Sequence, residues 1–329
     1  MMFNPKRAIL GIALIMGMLV AMPVNAQSVK KEVHGNTTTT VSTTYTAKLK
    51  NVGQPQLVTN KRTVLYPLVN GDVNRGNYIV VPKNTVLTVK SKLLSHQGDV
   101  VTLPHSQQSF GLIGPQKSTY STKGLKNSPQ VIKKLRAASK KWSKDLSKAD
   151  IAAIRYYTDK GYGKINTALR DSESKPGKKV TTNIQRINTS IDRFKLTKPL
   201  TIYRGTSLVG VKKSLANQSL RVGRAYQDPA YSSCTLSQMI ALGFSKQHVM
   251  LKINVPAGNY GAYIDPISTN VGEKEYLLKS GTKLIVTKIQ KGDSTTRTVT
   301  NVKQKGKQAK RQVVNTKIHY TLVTLNLKK

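Results

Sequence analysis

Gly272-Glu273-Lys274-Glu275-Tyr276-Leu277-Leu278 sets two carboxylates just ahead of an apolar run. In a chain with 54 Lys and Arg against 14 Asp and Glu, two acids separated by one residue are uncommon. Strand geometry puts Glu273 and Glu275 on one side, and Leu277 continues that side into a packed strand. Paired carboxylates suit the stabilisation of a cationic transition state and the orienting or deprotonation of an incoming nucleophile. A surface acidic pair facing nearby lysines is the alternative reading of the same residues.

Two upstream segments share the strand-and-turn texture. Thr201-Ile202-Tyr203-Arg204-Gly205 delivers an arginine at the end of a strand, and the glycine permits a turn or a close backbone approach. Arginine's planar fork suits a phosphate or a carboxylate. Tyr231-Ser232-Ser233-Cys234-Thr235-Leu236-Ser237 alternates hydroxyls, so Ser233 and Thr235 share a face and Cys234 points away. Cys234 is the single cysteine, so no internal disulfide or cysteine-based zinc site is available, and with no local histidine it reads as a buried structural residue. The five histidines are scattered, and no metal site is expected.

Around these segments the chain changes character several times. Lys6 and Arg7 precede the apolar run Ala8–Met22, which ends in Val24-Asn25-Ala26, and 1–26 therefore reads as a secretory signal peptide. Its removal takes two bases and no acid, so the net charge of +40 becomes +38. No later apolar run is long enough to cross a bilayer. Residues 27–44, rich in Ser and Thr, read as a flexible leader. Residues 45–110 carry short β-branched runs between turn formers and read as a small β-rich module; 111–128 read as a linker. Helical periodicity begins at Pro129 after Ser128, restarts after Ser147 with Asp150 in its first turn, and recurs over Val180–Phe194. Strands follow from Pro199 onward. Helices first and strands later predict one α+β domain over 129–329. The polar, basic stretch 291–315 reads as a long exposed hairpin loop or insertion.

In this order and register the segments resemble the bacterial mono-ADP-ribosylating exotoxins of the arginine–serine–glutamate class, which include actin-modifying and C3-like Rho-modifying enzymes. Tyr203-Arg204-Gly205 comes first, then Ser233-Cys234-Thr235, then Glu273-Lys274-Glu275. Ala262-Tyr263-Ile264, Gly281-Thr282-Lys283 and the helical stretches Ala153–Thr158 and Ile165–Arg170 extend the likeness over about 130–290. The resemblance implies an ADP-ribosyltransferase fold, with N-terminal helices packed on a two-sheet β core that forms an NAD cleft. It implies that Arg204, Arg170, Asn166, Ser233 and Thr235 bind NAD as co-substrate. It gives Ser233 the task of positioning Glu275, which stabilises the oxocarbenium ion as nicotinamide leaves, and gives Glu273 the guiding of the acceptor nucleophile. A glutamate at the upstream place accompanies arginine modification, so the expected partner is a target protein bearing an acceptor arginine.

Two departures matter. Cysteine replaces threonine in the middle of the usual Ser-Thr-Ser, at the outward position. Asn270 stands where the actin-modifying members carry an aromatic residue three places before the upstream glutamate, which weighs against actin while leaving it among the candidates. The resulting expectation is a secreted, monomeric enzyme, with an anionic cell-surface polymer as a second partner suggested by charge. An NAD glycohydrolase without a protein acceptor, or a cationic extracellular binding protein, is the alternative.

Overall fold

The computed structural model describes residues 25–93, 97–114, 118–125, 127–171, 173, 175–245 and 247–328. The expected signal peptide lies almost wholly outside them. The chain opens with two strands, β1 (Asn25–His34) and β2 (Thr37–Asn51). A small antiparallel sheet follows: β3 (Gln56–Val58), β4 (Thr63–Val69), β5 (Asp72–Val73), β6 (Ile79–Val81), β7 (Val86–Lys92), β8 (Gly98–Thr102) and β9 (Ser109–Ile113). Its alternating apolar residues meet in a core around Leu65, Leu87, Val101 and Phe110.

Four helices come next. Helix α1 (Pro129–Lys144) starts with Ser128 as N-cap, its hydroxyl accepting from Val131 N, and Pro129 occupies the position whose N–H has no helical partner. Helix α2 (Lys148–Tyr156) starts on a capping box, Ser147 and Asp150 each accepting from the other's backbone N–H. It runs through a π-helical turn (Tyr157–Gly161) into α3 (Tyr162–Arg170), and α4 (Lys178–Asp192) follows. The remainder is β10 (Leu200–Thr206), α5 (Leu208–Ser214), β11 (Ala225–Gln227), β12 (Ser232–Thr235), α6 (Gln238–Gly243), β13 (Val249–Val255), β14 (Gly261–Tyr263), β15 (Glu275–Leu278), β16 (Lys283–Gln304) and β17 (Lys310–Leu327).

These strands form one path in the order β1-β2-β16-β17-β13-β10-β12-β15-β14, with β11 beside β16. Strands β10 and β12 meet through a single residue pair, Tyr203 opposite Thr235. Elsewhere the neighbours share longer ladders, such as the seven pairs of β10 with β13. The path is therefore two sheets hinged at one point, in keeping with the expected two-sheet α+β core. Trp142, Ile154, Ile165 and Ile187 of the helices pack on Ile202, Leu251, Val323 and Leu325 of the strands. The small sheet is fastened to this body through Val58, Tyr120 and Ile285.

Four sequence expectations differ from the fold. Residues 27–44 are not a flexible leader: β2 pairs with β16 from Thr37 opposite Gln304 to Asn51 opposite Gln290, and β1 pairs with β2. Residues 291–315 are not a loop, since β16 and β17 stay in register from Leu284–Leu327 to Val302–Lys310. Low apolar content hid both, yet the β-branched Thr and Val of each suit a pleated ladder whatever the face meets. Residues 111–128 are not a free linker either. Their described part is bound to the body by Leu125 N donating to Thr201 Oγ1 at 2.9 Å and Asn127 Nδ2 donating to Thr201 O at 2.7 Å. The small β module accordingly begins at β3, because 45–51 belong to the large sheet.

Candidate active site

The hinge between β10 and β12 opens a cavity of about 370 Å³. Arg204 and Gly205 line it from one sheet, Ser233 and Glu275 from the other, and Asn166 and Glu273 from the rim. Gly205 is required by a close approach: a Cβ there would stand 2.1 Å from the carbonyl oxygen of Ala241 in α6.

Glu275 begins β15 and is 5% exposed. Ser233 Oγ, across the β12–β15 ladder, donates to its Oε1 at 2.6 Å, and Ser268 Oγ lies 3.5 Å from Oε2. Burial drives its pKa up to about 7, with Glu273 and Asp265 adding repulsion and the two serine hydroxyls opposing. Glu273 is half-buried, and its pKa is raised by desolvation and then by Asp265. The two glutamates share the cavity for a different reason from the one strand alternation supplies. Glu273 precedes β15, and Lys274 between them takes φ +54°, so a turn and not a pleat sets their relation.

That turn is built around Asp265, which is fully buried. Its Oδ1 accepts from Gly272 N at 2.9 Å and Lys274 N at 2.7 Å, while Oδ2 accepts from Tyr263 OH and from Arg136 Nη2. Thr235 Oγ1 secures the same turn by donating to Glu273 O at 2.6 Å, and it accepts from Ser237 N. Asn270 is turned towards the π-helical turn, its Nδ2 donating to Thr158 O at 2.9 Å.

On the opposite wall Arg204 Nη1 donates to Ser233 O at 3.1 Å, and its Nη2 lies 3.9 Å from Asp228 Oδ2. Asp228 also accepts two parallel bonds from Arg170, Nε at 2.9 Å and Nη2 at 2.8 Å. Arg170 is not itself in the cavity wall; Asp228 ties it to Arg204, and this pairing raises the Arg170 pKa further. Asn166 donates through Nδ2 to Tyr157 OH at 3.2 Å, while its Oδ1 is buried with no partner among the described residues. An acceptor left so costs free energy. Cys234 is buried and its thiol is pushed up to about 12, so it supplies no thiolate.

The structure thus brings Arg204, Ser233, Thr235, Glu273, Glu275 and Asn166 to one cavity, with Arg170 one residue behind it. Asp228 and Asp265 went unrecognised in the sequence. Each is an acid in an acid-poor chain, beside Pro229 or Pro266 in a turn, which is a weak signal.

The ADP-ribosyltransferase exoenzyme family model matches residues 136–313. The chain belongs to that family. Its match spans both walls of the cavity and most of the β16–β17 hairpin. The NAD(+)–arginine ADP-ribosyltransferase EFV of Enterococcus faecalis is 28% identical over 158 residues, 45% of this chain and 30% of that protein. The chain thus spans under a third of that relative. Among solved structures, the toxin Plx2a of Paenibacillus larvae is 22% identical, with 60% of this chain and 95% of that one covered at a TM-score of 0.46. The enzymatic component C2-I of the Clostridium botulinum C2 toxin is 16% identical, with 76% and 57% covered at 0.48.

Proposed function

We propose that this chain splits NAD and transfers its ADP-ribose to an arginine of another protein. The observation that carries the reading is Glu275, a buried carboxylate held by Ser233 on the wall of a cavity whose other wall presents Arg204. NAD supplies phosphates for Arg204 and a cationic nicotinamide for the carboxylate. Asn166 adds a polar side chain to the same cavity wall.

In this reading the glycosidic bond of NAD breaks with its electron pair leaving on nicotinamide. Glu275 faces the positive charge that develops on the ribose, in a site where burial strengthens the interaction. The acceptor guanidinium adds through one nitrogen to the ribose carbon, and Glu273 takes the proton released. A half-buried carboxylate of raised pKa is a better base for that step than a free one. Asp265 and Thr235 act as positioning residues, through the turn that carries Glu273. Export by way of Ala8–Met22 belongs to the same proposal.

Incubating the chain with labelled NAD and a eukaryotic lysate tests it. Discrete labelled proteins are expected, with the label on arginine by mass spectrometry. Glu273→Gln should cut transfer at least about 100-fold more than NAD cleavage, the contribution expected from one positioned base. Cleavage without labelled protein would replace the transferase by a glycohydrolase, and inertness towards NAD would end both.

A further inference from the structure

The ribbon β1-β2-β16-β17 extends beyond the packed body, and its two faces differ in kind. On one face Val41, Thr43, Tyr45 and Ala47 of β2 are buried, and Tyr320 of β17 joins the core of Ala241, Leu242 and Met250. The other face is open. There the ladders align Lys31 with Thr40, Asn301 and Arg311 in one cross-strand row. Lys303 stands opposite Thr38, and Lys317 opposite Thr295. Lys48, Lys50 and Lys291 complete the face near the body, with Arg297 between. Among the described residues, eight Lys and Arg are exposed on it against a single acid, Asp293, which His319 already contacts.

Two details narrow the occupant. The face has no Phe, Tyr or Trp, so it lacks the stacking platforms that hold single-stranded nucleic acid. It also carries an apolar row amid the cations, Val29–Ser42–Val299–Val313, with Val33 further along β1 beyond the Lys31 row. Val29 and Val33 are 62% and 61% exposed. A hydrated polymer gives such a row nothing, whereas the boundary between headgroups and acyl chains accommodates it. Four strands about 4.8 Å apart spread the charge over a surface instead of a line.

We propose that this face docks the protein on an anionic lipid bilayer. Lys and Arg meet the headgroup phosphates and carboxylates, and the valine row enters the interface. The pairing Arg204–Leu251–Val323–Ile289, two residues from Lys291, sets the basic face on the same side of the sheet as Arg204. The inference rests on the ribbon alone and stands whether or not NAD is the substrate.

Co-sedimentation of the full chain with vesicles of phosphatidylcholine, with and without about 30% phosphatidylserine, tests it. Binding is expected only with the anionic lipid. The variant with Lys31, Lys48, Lys50, Lys303, Arg311 and Lys317 all changed to Gln should lose on the order of 10⁴-fold in affinity, at roughly fivefold per basic residue near such a surface. Its NAD cleavage should be unchanged. A control with the same charge loss elsewhere, Lys133, Lys134, Lys140, Lys148, Lys195 and Lys198 to Gln, should lose less than about tenfold. Val29→Ser with Val313→Ser should remove the binding that persists in about 0.5 M salt, where the charges are screened. Equal loss in the control would reduce the effect to net charge and overturn the proposal. So would soluble polyphosphate binding as tightly as the vesicles with the valine changes silent, which would make a phosphate polymer the occupant.

Discussion

Replacing Glu275 by Gln should destroy activity and make the protein more stable, by an amount that depends on pH. In the folded chain the carboxyl titrates at about 7, against an ordinary 4.5, chiefly because it is buried. Between those values the folded state holds a proton that the unfolded state has released, so stability falls as pH rises through the window. The difference of about 2.5 units at about 1.36 kcal/mol each comes to about 3 kcal/mol at pH 8. The amide of the variant escapes that penalty, and its oxygen can still accept from Ser233 Oγ.

Thermal melts of the two proteins from about pH 4.5 to 8 check this, a range that brackets both ends of the titration. The curves should coincide near pH 4.5, where both side chains are neutral in the folded state, and separate in favour of the Glu275→Gln variant above pH 7. For a body of this size a gap of roughly 5 °C is expected at pH 8. NAD cleavage by the variant should be lost across the whole range. A stability difference independent of pH, or a variant less stable than the parent at pH 8, would refute the account of Glu275 as a carboxylate forced to ionise in a dry site.

On the proposed function, the unaltered chain should show kcat/KM for NAD cleavage rising with pH through about 7, as Glu275 ionises. Ser233→Ala removes a hydrogen bond that favours the ionised form, so that limb should move to higher pH and the loss of rate should be larger at about pH 6.5 than at about pH 8.5. Asp228→Asn loosens the fork that ties Arg170 to Arg204 and should raise KM for NAD about tenfold, the worth of one charge-assisted bond. A fall in KM would mean instead that Asp228 competes with phosphate for the guanidinium. Asp265→Asn takes the charge from the acceptor of Gly272 and Lys274 and should cost about 2 kcal/mol of stability. It should depress transfer more than cleavage and shift the Glu275 limb to lower pH.

Much of the domain was legible because its local rules agree with its packing. Ser128-Pro129 and Ser147 with Asp150 start helices as their chemistry requires, and the short apolar strands from Thr201 onward bury what they show. The cavity residues were legible through family resemblance more than through physics. Arg204, Ser233 and Glu275 lie on three strands, and nothing in their spacing shows that β10 and β12 meet at one pair only. The β1–β2 and β16–β17 ribbon was missed because hydrophobic periodicity reports burial, and one of its faces is largely exposed. A run such as Thr37–Thr40 is silent on that scale, though each residue favours an extended backbone. Asp265 and Asp228 were missed because their partners are backbone N–H groups and arginines brought close only by the fold.

The charge pattern joins these observations. A chain carrying +40 should hold a carboxylate ionised with ease, yet Glu275 is pushed towards neutrality. The excess bases are mostly exposed, and beyond about 8 Å salt screens them. What Glu275 experiences is burial together with its acidic neighbours. Five of the fourteen acids, Asp159, Asp228, Asp265, Glu273 and Glu275, line the cavity or stand directly behind it. The cavity is therefore set for a ligand with positive charge at the glutamate end and negative charge at Arg204. A cation entering beside Glu275 relieves the repulsion and lowers its pKa, so binding should release a proton below about pH 7. Calorimetry of NAD binding to the Ser233→Ala protein, in buffers of different ionisation enthalpy, should register that proton, and more of it than the parent releases at about pH 7. An equal or smaller release would place the bound cation away from Glu275 and break the link between the buried carboxylate and the leaving nicotinamide.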